Sequence, residues 1–374
     1  MSTVKIGIIG GGLMGREMAS AFARWCALQE QGDTPVLTAV ADLSEGAREW
    51  FKRIPTVKLL TSDYHALLES DEVDVVYVAV PHQVHEKIYL DVLRAEKDLF
   101  AEKPFGIDLS AAENIAKVAA ESDGFVRCSS EFPFFPGAQR AFEYVRDGHC
   151  GRILDAVSGF HHSSDLDPNK SANWKRQSST CGEIGVLGDL GMHVCHVPFR
   201  LDWKPHSVFA QLTRGYETRP DGKGGEAVCD TWDNALLNTW VENLDGSAFP
   251  LRLEMKRLSP GETNTWFFEV TGTEGGVRFS SKHPKQLHLF ERGKEQSWKT
   301  IDLGFQVPFP TITGGIFEVG FPDVIQQMWA SYLTERAGSL DGRFHCVTPE
   351  EAVTSQRLFA AALKSQESNS VAHV

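Results

Sequence analysis

The apolar positions of the first part of the chain fall into short β-branched runs separated by stretches of helical spacing. Val4, Ile6, Ile8 and Ile9 form one run, and Met18, Ala19, Phe22 and Ala23 follow at helical intervals. Val36, Leu37, Ala39 and Val40 make a second strand, and Leu67 and Leu68 end a short helix. Val73 to Val80 is continuously apolar, as in a strand buried on both faces of a parallel sheet. A helix over His85 to Ala95, a strand over Asp98 to Ala101, a helix over Ala111 to Ser122 and a strand over Phe125 to Ser130 continue the alternation. Such alternation predicts right-handed crossovers and a doubly wound α/β sheet, whose ligand crevice lies beyond the strand C-termini. Pro81 and Lys103 fall on that rim.

Between residues 130 and 150 the pattern changes. Phe142 to Arg146 is helical and ends at Gly148. Strands are then predicted over Ile153 to His161, Ser207 to Tyr216, Ala235 to Glu242, Pro250 to Leu258, Trp266 to Gly272, Val277 to Ser280 and Gln286 to Glu291. Leu251, Leu253 and Met255 alternate with Arg252, Glu254 and Lys256, the signature of a sheet with one buried and one wet face. The expectation is an α+β domain with a large, mostly antiparallel open sheet, whose free face can serve self-association. Leu303 to Pro322 is rich in Phe, Pro and Gly, too irregular for one element, and is expected to cover the site or meet another subunit. Thr348-Pro349-Glu350-Glu351 starts a helix through Lys364, and the tail after Ser365 reads as disordered. The domains expected are therefore 1–130, 131–345 and a returning helix with a short flexible tail over 346–374.

Chemistry first enters at GIIGGGLMG, Gly7 to Gly15, which lies between the first strand and the first helix. Gly10, Gly12 and Gly15 are spaced as G-x-G-x-x-G, with Leu13 and Met14 between the last two. The first glycine permits a tight turn, the second lets the backbone approach a pyrophosphate, and the third allows close helix–strand packing. The helix N-terminus offers free N–H groups and partial positive charge to phosphates. This context makes the N-terminal domain a dinucleotide-binding Rossmann sheet. Asp42 closes the second strand, where its carboxylate would accept hydrogen bonds from the adenosine ribose and repel a 2′-phosphate, so NAD is expected over NADP. A solvated Asp capping the next helix is the competing reading. Ala27 to Thr34 is expected to form an extended helix end and loop.

GIIGGGLMG, Asp42, VAVPHQVHEKI and AEKPFG together resemble the Gfo/Idh/MocA oxidoreductases, and the resemblance extends to the closing helix. It implies a Rossmann domain joined to a mixed-sheet substrate domain, and activity on a hydroxyl or keto group of a sugar, inositol or related polyol. Glu102-Lys103-Pro104 resembles the family's E-K-P, which would set Lys103 against nicotinamide and the reacting oxygen, with a cis bond before Pro104. Pro81, His82 and His85 would border the cofactor, with His82 in a place often held by Asn. Without the resemblance, Lys103 could be a surface lysine.

In GVLGDLGMHVCH, Asp189 and His193 are four apart, so a helix starting at Leu190 would project both from one side. The stretch resembles the family's D-x-G-x-H signature, which implies His193 as general acid/base and Asp189 as the group orienting the hydroxyl. An unperturbed imidazole pKa of about 6.5 suits that exchange. Gly188 and Gly191 are expected to let the backbone approach a sugar. Trp174-Lys175 resembles a W-R element, with Trp174 stacking on the sugar, and Glu131 stands where the family often has Arg. Each could equally be loop packing. Upstream, Gly182-Glu183-Ile184-Gly185 departs from the family's consecutive glycines.

Composition trims the alternatives. Lys plus Arg number 37 against 50 Asp plus Glu, a formal charge of −13, which argues against nucleic acid or an anionic membrane as partner. Seven scattered cysteines without C-x-x-C suit a reducing cytoplasm. His193, Cys195, His196 and the pair His161-His162 match no standard ligand spacing, so no metal is expected. The polar start Met1-Ser2-Thr3 and the lack of a long apolar run lead to the expectation of no signal peptide or membrane span. A homodimer or homotetramer through the C-terminal sheet is expected. Two further readings remain open, a glycoside-processing enzyme that oxidises its substrate transiently with bound NAD, and a non-catalytic NAD-sensing regulator.

Overall fold

A computed structural model describes residues 2–30, 32–243 and 245–374. Met1 of the expected first domain and Gln31 of the expected 27–34 loop lie outside the described residues. The first half is built from β1 (Thr3–Ile9), α1 (Leu13–Ala23), β2 (Thr34–Ala41), α2 (Glu45–Phe51), β3 (Leu59–Thr61), α3 (Tyr64–Leu68) and β4 (Val75–Val78). It continues through α4 (His85–Arg94), β5 (Asp98–Ala101), α5 (Leu109–Glu121) and β6 (Val126–Cys128). All six strands are parallel, in the order β3-β2-β1-β4-β5-β6. The apolar run expected over residues 73–80 pairs only at Val75–Val78, all buried, because the chain then leaves the sheet to form the rim at Pro81.

After α6 (Pro136–Arg146) come β7 (Ile153–His161), the short α7 (Ser178–Cys181) and α8 (Val186–Arg200). There follow β8 (Ser207–Thr213), a small hairpin of β9 (Thr218–Pro220) and β10 (Glu226–Val228), β11 (Asn234–Glu242) and β12 (Ala248–Lys256). The remaining elements are β13 (Thr265–Gly272), β14 (Gly275–Ser280), β15 (Gln286–Glu291), β16 (Trp298–Asp302), α9 (Phe321–Arg336), α10 (Pro349–Ser368) and β17 (Ala372–His373). The second sheet has nine strands in the order β16-β15-β14-β13-β7-β12-β11-β8-β17, antiparallel except where β12 pairs β7. Leu251, Leu253 and Met255 are buried beneath α8, whereas Arg252 on the other face is exposed, as the alternation required.

Several boundaries differ from the sequence reading. The helix expected from Phe142 begins at Pro136, a residue suited to a first turn because its missing N–H is not needed there. Residues after Ser365 are not irregular: α10 runs to Ser368, and Ala372–His373 adds a strand to β8. The periodicity reading also lacked α9, which packs on α1 with Trp329 edge-on to Phe22 at 4.8 Å. Residues 303–320 hold this junction together, with Ile312 N donating to Ala27 O and Gln29 N to Pro310 O. One core cluster joins Ile8 and Phe100 of the first sheet to Leu190 of α8 and Leu251 of the second.

Candidate active site

A cavity of about 960 Å³ opens beyond the C-termini of β1, β2 and β4 and reaches the side of α8. At its first end, β1 turns into α1 through Gly10, whose φ of +104° would strain any other residue and whose Cβ would stand 2.1 Å from Ala79 O. A Cβ on Gly15 would lie 2.2 Å from Gly10 O, so that glycine sets the approach of helix to strand. Gly12 differs, because a Cβ there meets nothing within 4 Å and would project into open space. Gly12 is the N-cap of α1 and supplies no side-chain cap, so the first amides remain available. Leu13 and Met14 line the cavity beside it.

Asp42 follows β2 directly. Its Oδ2 accepts from Gly11 N at 2.6 Å and its Oδ1 from Ser44 N at 2.7 Å, so the carboxylate joins the glycine turn to the start of α2 while lining the cavity. Ser44, not Asp42, caps α2. A glycine turn open at Gly12 and a carboxylate at the end of β2 fit a dinucleotide.

The rim is held by buried polar groups. His82 is 3% exposed, faces Cys181 O through Nδ1 at 2.9 Å, and stands edge-on to Trp174 at 4.7 Å. His85 departs from expectation. Its ring nitrogens lie 2.8 Å from Pro104 O and 2.8 Å from Val80 O, so it braces the two rim turns from behind instead of bordering the cavity. Glu102 reaches the cavity wall, but its carboxylate is taken up by Tyr77 Oη at 2.5 Å, Ser129 Oγ at 2.7 Å and Lys103 N at 3.2 Å. The Lys103–Pro104 bond is cis.

At the other end, α8 begins earlier than Leu190 and carries Asp189 and His193 on successive turns. Three cations converge on Asp189. Lys103 Nζ donates to Oδ1 at 3.0 Å, Lys175 Nζ to Oδ1 at 2.7 Å and Arg257 Nε to Oδ2 at 3.2 Å. Burial opposes the Asp189 charge, but these cations outweigh it and hold the carboxyl well below its usual range. Burial likewise works against the Lys103 ammonium, yet Asp189 and Glu102 raise its pKa above the ordinary value. Lys175 goes the other way, lowered by burial, with Lys103 and Arg257 repulsion adding to the effect.

His193 is 2% exposed, with Nδ1 3.3 Å from Ser130 Oγ and 3.7 Å from Glu131 Oε2. Trp266 Nε1 donates to its backbone carbonyl at 2.7 Å, and Phe132 and Phe160 meet its ring edge-on. Burial, then Lys103, pushes its pKa well below 6.5, so the resting ring is a neutral base. Trp174 and Lys175 also line this end, on a turn anchored by buried Arg176, which donates to Asp233 at 2.6 Å.

Of the residues singled out from sequence, Gly10, Gly12, Leu13, Met14, Asp42, Pro81, His82, Glu102, Lys103, Glu131, Trp174, Lys175, Asp189 and His193 share this one cavity. Gly15 and His85 stand behind it. Gly188 and Gly191 do not line the cavity: a Cβ on Gly191 would lie 2.3 Å from Phe359, so that glycine admits α10 instead. The sequence reading missed Arg257, fully buried just past β12, and the aromatic wall Phe160; Phe132 and Phe321, the latter from the stretch expected to cover the site, also line the cavity. It named His162 only in a pair; that residue lines the cavity, with its pKa lowered to about 4 by burial. His196 faces His345 O at 3.2 Å, and among the described residues no group of three or more His, Cys, Asp or Glu could hold a metal.

Residues 4–129 match the family model Gfo/Idh/MocA, described as an oxidoreductase family with an NAD-binding Rossmann fold. The N-terminal domain belongs to this family. Among curated relatives, levoglucosan dehydrogenase of Pseudarthrobacter phenanthrenivorans is 26% identical over 333 residues, 83% of this chain and 82% of its own. Solved structures share the whole fold. Levoglucosan dehydrogenase in complex with NADH and levoglucosan superposes with a TM-score of 0.89 at 21% identity, over 100% of this chain and 99% of that one. An inositol dehydrogenase homolog complexed with NAD+, from Azotobacter vinelandii, gives 0.81 at 19% identity, over 100% and 98%. The match gives residues 4–129 the NAD-binding Rossmann fold of an oxidoreductase family.

Proposed function

We propose that the protein is an NAD-dependent dehydrogenase acting on a hydroxyl group of a sugar, inositol or related polyol. The observation that carries this reading is the meeting of Lys103, Asp189 and His193 in the same cavity as the open glycine turn and Asp42. Gly10, Gly12, Leu13, Met14, Gly15 and Asp42 would hold the dinucleotide, with Pro81 and His82 at the rim. When bound, that cofactor supplies the hydride acceptor. Asp42 favours the 2′-hydroxyl form, because its charge opposes a phosphate at the same place.

The protein's own groups manage the proton and the substrate. His193, neutral at rest, accepts the hydroxyl proton. Lys103 donates to the same oxygen as negative charge develops on it, the kind of fixed donor worth several kcal/mol in a water-poor site. Asp189 accepts from a neighbouring hydroxyl, and its three cationic partners keep it ionised for that purpose. Trp174 offers a flat apolar face to a sugar ring, and Lys175 a second donor. In this reading residues 1–130 serve the nucleotide, 131–345 the substrate, and 346–374 the junction between them.

The uncovered face of the nine-stranded sheet, with Trp240 47% exposed near Arg252, would join copies into a homodimer or homotetramer. All seven cysteines are free, which supports a reducing, cytoplasmic setting; no helix among the described residues is long and apolar enough to cross a membrane.

The test is absorbance of NADH on mixing protein and NAD+ with a panel of inositols, aldoses and anhydrosugars, with His193→Ala in parallel. Steady NADH formation that disappears in the variant is expected. NAD+ binding without NADH from any compound would overturn the dehydrogenase reading and favour transient oxidation.

A further inference from the structure

We propose that Glu131 is the proton acceptor behind His193, and that Glu131, Ser130 and His193 form a relay carrying the hydroxyl proton away from the substrate. The inference rests on the dehydrogenase reading and gives Glu131 a task other than binding sugar.

The geometry comes first. Nδ1 of His193 is directed at Ser130 Oγ, 3.3 Å away, and at Glu131 Oε2, 3.7 Å away, which leaves Nε2 as the nitrogen free for a substrate. An imidazole can take a proton at Nε2 only if the other nitrogen already carries its own, and a serine oxygen and a carboxylate are both acceptors suited to Nδ1–H. Distances in a ligand-free catalytic site commonly tighten in the reacting complex. Ser130 is fully buried and Glu131 is 5% exposed, so bulk water does not compete for either.

The charges explain why a second acceptor is needed. His193 is buried beside Lys103, with Lys175 adding to the repulsion, and its imidazolium is disfavoured. A proton parked there would favour the reverse transfer of hydride and proton to the product carbonyl unless it moved on. Glu131 faces His193 from α8, Glu102 and Lys103 from beyond β5 and Tyr77 from β4; burial, then Glu102, raises its pKa to about 7. A carboxylate so placed is about half ionised near neutral pH, so it can both accept a proton there and release it again.

The step balances. The substrate O–H bond breaks and the proton bonds to Nε2, while the geminal C–H pair leaves as hydride to the nicotinamide. The Nδ1–H proton then passes to Glu131 Oε2, directly or through the Ser130 hydroxyl, and His193 ends neutral. Reduction of a ketone runs the same transfers backwards.

The relay is tested without turnover by following the ¹⁵N signals of the His193 ring against pH in the ligand-free protein, assigned with His193→Gln. In the wild type we expect an Nδ1–H tautomer and a transition with its midpoint at about 7. Glu131→Gln should abolish that transition, Glu131→Asp should keep it, and Ser130→Ala should weaken it. An identical transition, or none, in both the wild type and Glu131→Gln would overturn the relay. With a turned-over substrate, Glu131→Gln should cut kcat by about 10²-fold above neutrality and flatten its pH profile at little change in KM. A raised KM with an unchanged profile would make Glu131 a substrate ligand and overturn the relay. A coupled transition in a protein that oxidises nothing would leave the relay standing and overturn the dehydrogenase reading alone.

Discussion

Lys103 and Asp189 are joined twice across the cavity: Lys103 Nζ donates at 2.7 Å to the Asp189 backbone carbonyl and at 3.0 Å to its carboxylate. One residue leaves the last turn of the nucleotide rim, and the other stands on the first turn of α8. The pair therefore sets the distance between the dinucleotide cradle and the proton-transfer residues. With both carboxylate oxygens of Asp189 already accepting from cations, Lys103 can turn to a substrate oxygen without stranding a buried charge.

Replacing Lys103 with Met should lower kcat by about 10²–10³-fold, the usual consequence of losing one fixed donor at a developing oxyanion. The fold should survive, because Lys175 and Arg257 still hold Asp189. The same change removes a cation that depresses His193, so the imidazole pKa should rise; rate and ¹⁵N titration measured together check both parts.

Gly12 and Gly15 should behave as opposites. Gly12→Ala meets open space, so the melting temperature should hold while NAD+ binding, followed by fluorescence titration, weakens at least about tenfold, a cost of ~1.4 kcal/mol. Gly15→Ala drives a methyl against Gly10 O and should destabilise the fold by about 1–3 kcal/mol.

Stability should depend on pH through Glu131. Its pKa is raised from 4.5 to about 7, so the stabilisation it contributes is complete below 4.5 and is lost as pH rises through 7. Relative to Glu131→Gln, the wild type should lose up to about 3 kcal/mol across that window, read by denaturant unfolding at several pH values. A pH-independent difference would show that the carboxyl is not strained on ionising.

Arg257→Leu should be among the most damaging single changes outside the glycine turn. The guanidinium is fully buried against Asp189, and removing one partner of a buried charge pair typically costs about 3–5 kcal/mol. Thermal unfolding of the variant checks this. Loss of less than about 1 kcal/mol would mean that the two lysines alone satisfy the carboxylate.

The parts of the site legible in sequence are those whose chemistry is written locally. Gly10 to Gly15 carry their turn in their spacing, and Asp189 and His193 show their common face by standing four apart. Arg257 was hidden because it reads as the end of an alternating strand; only the fold brings it to Asp189, 68 residues away in sequence. Glu131 stood out as a departure from its family's pattern, but nothing local pointed it at Nδ1 of His193. The helix α9 escaped because it is buried nearly all round, Gln326 and Gln327 included, which erases the polar stripe that marks a surface helix. Likewise the polar composition of the tail concealed a strand whose partner, β8, lies far back in the chain.

The most direct test of the central claim is isotopic. Protein and unlabelled NAD+ are incubated with a carbon-perdeuterated form of a sugar or polyol that the protein consumes, and the nicotinamide product is isolated for mass spectrometry. One deuterium in each NADH formed, with one ketone produced for every NADH, is the expected result. Consumption of the sugar with NAD+ recovered unlabelled and unreduced would contradict a net dehydrogenase.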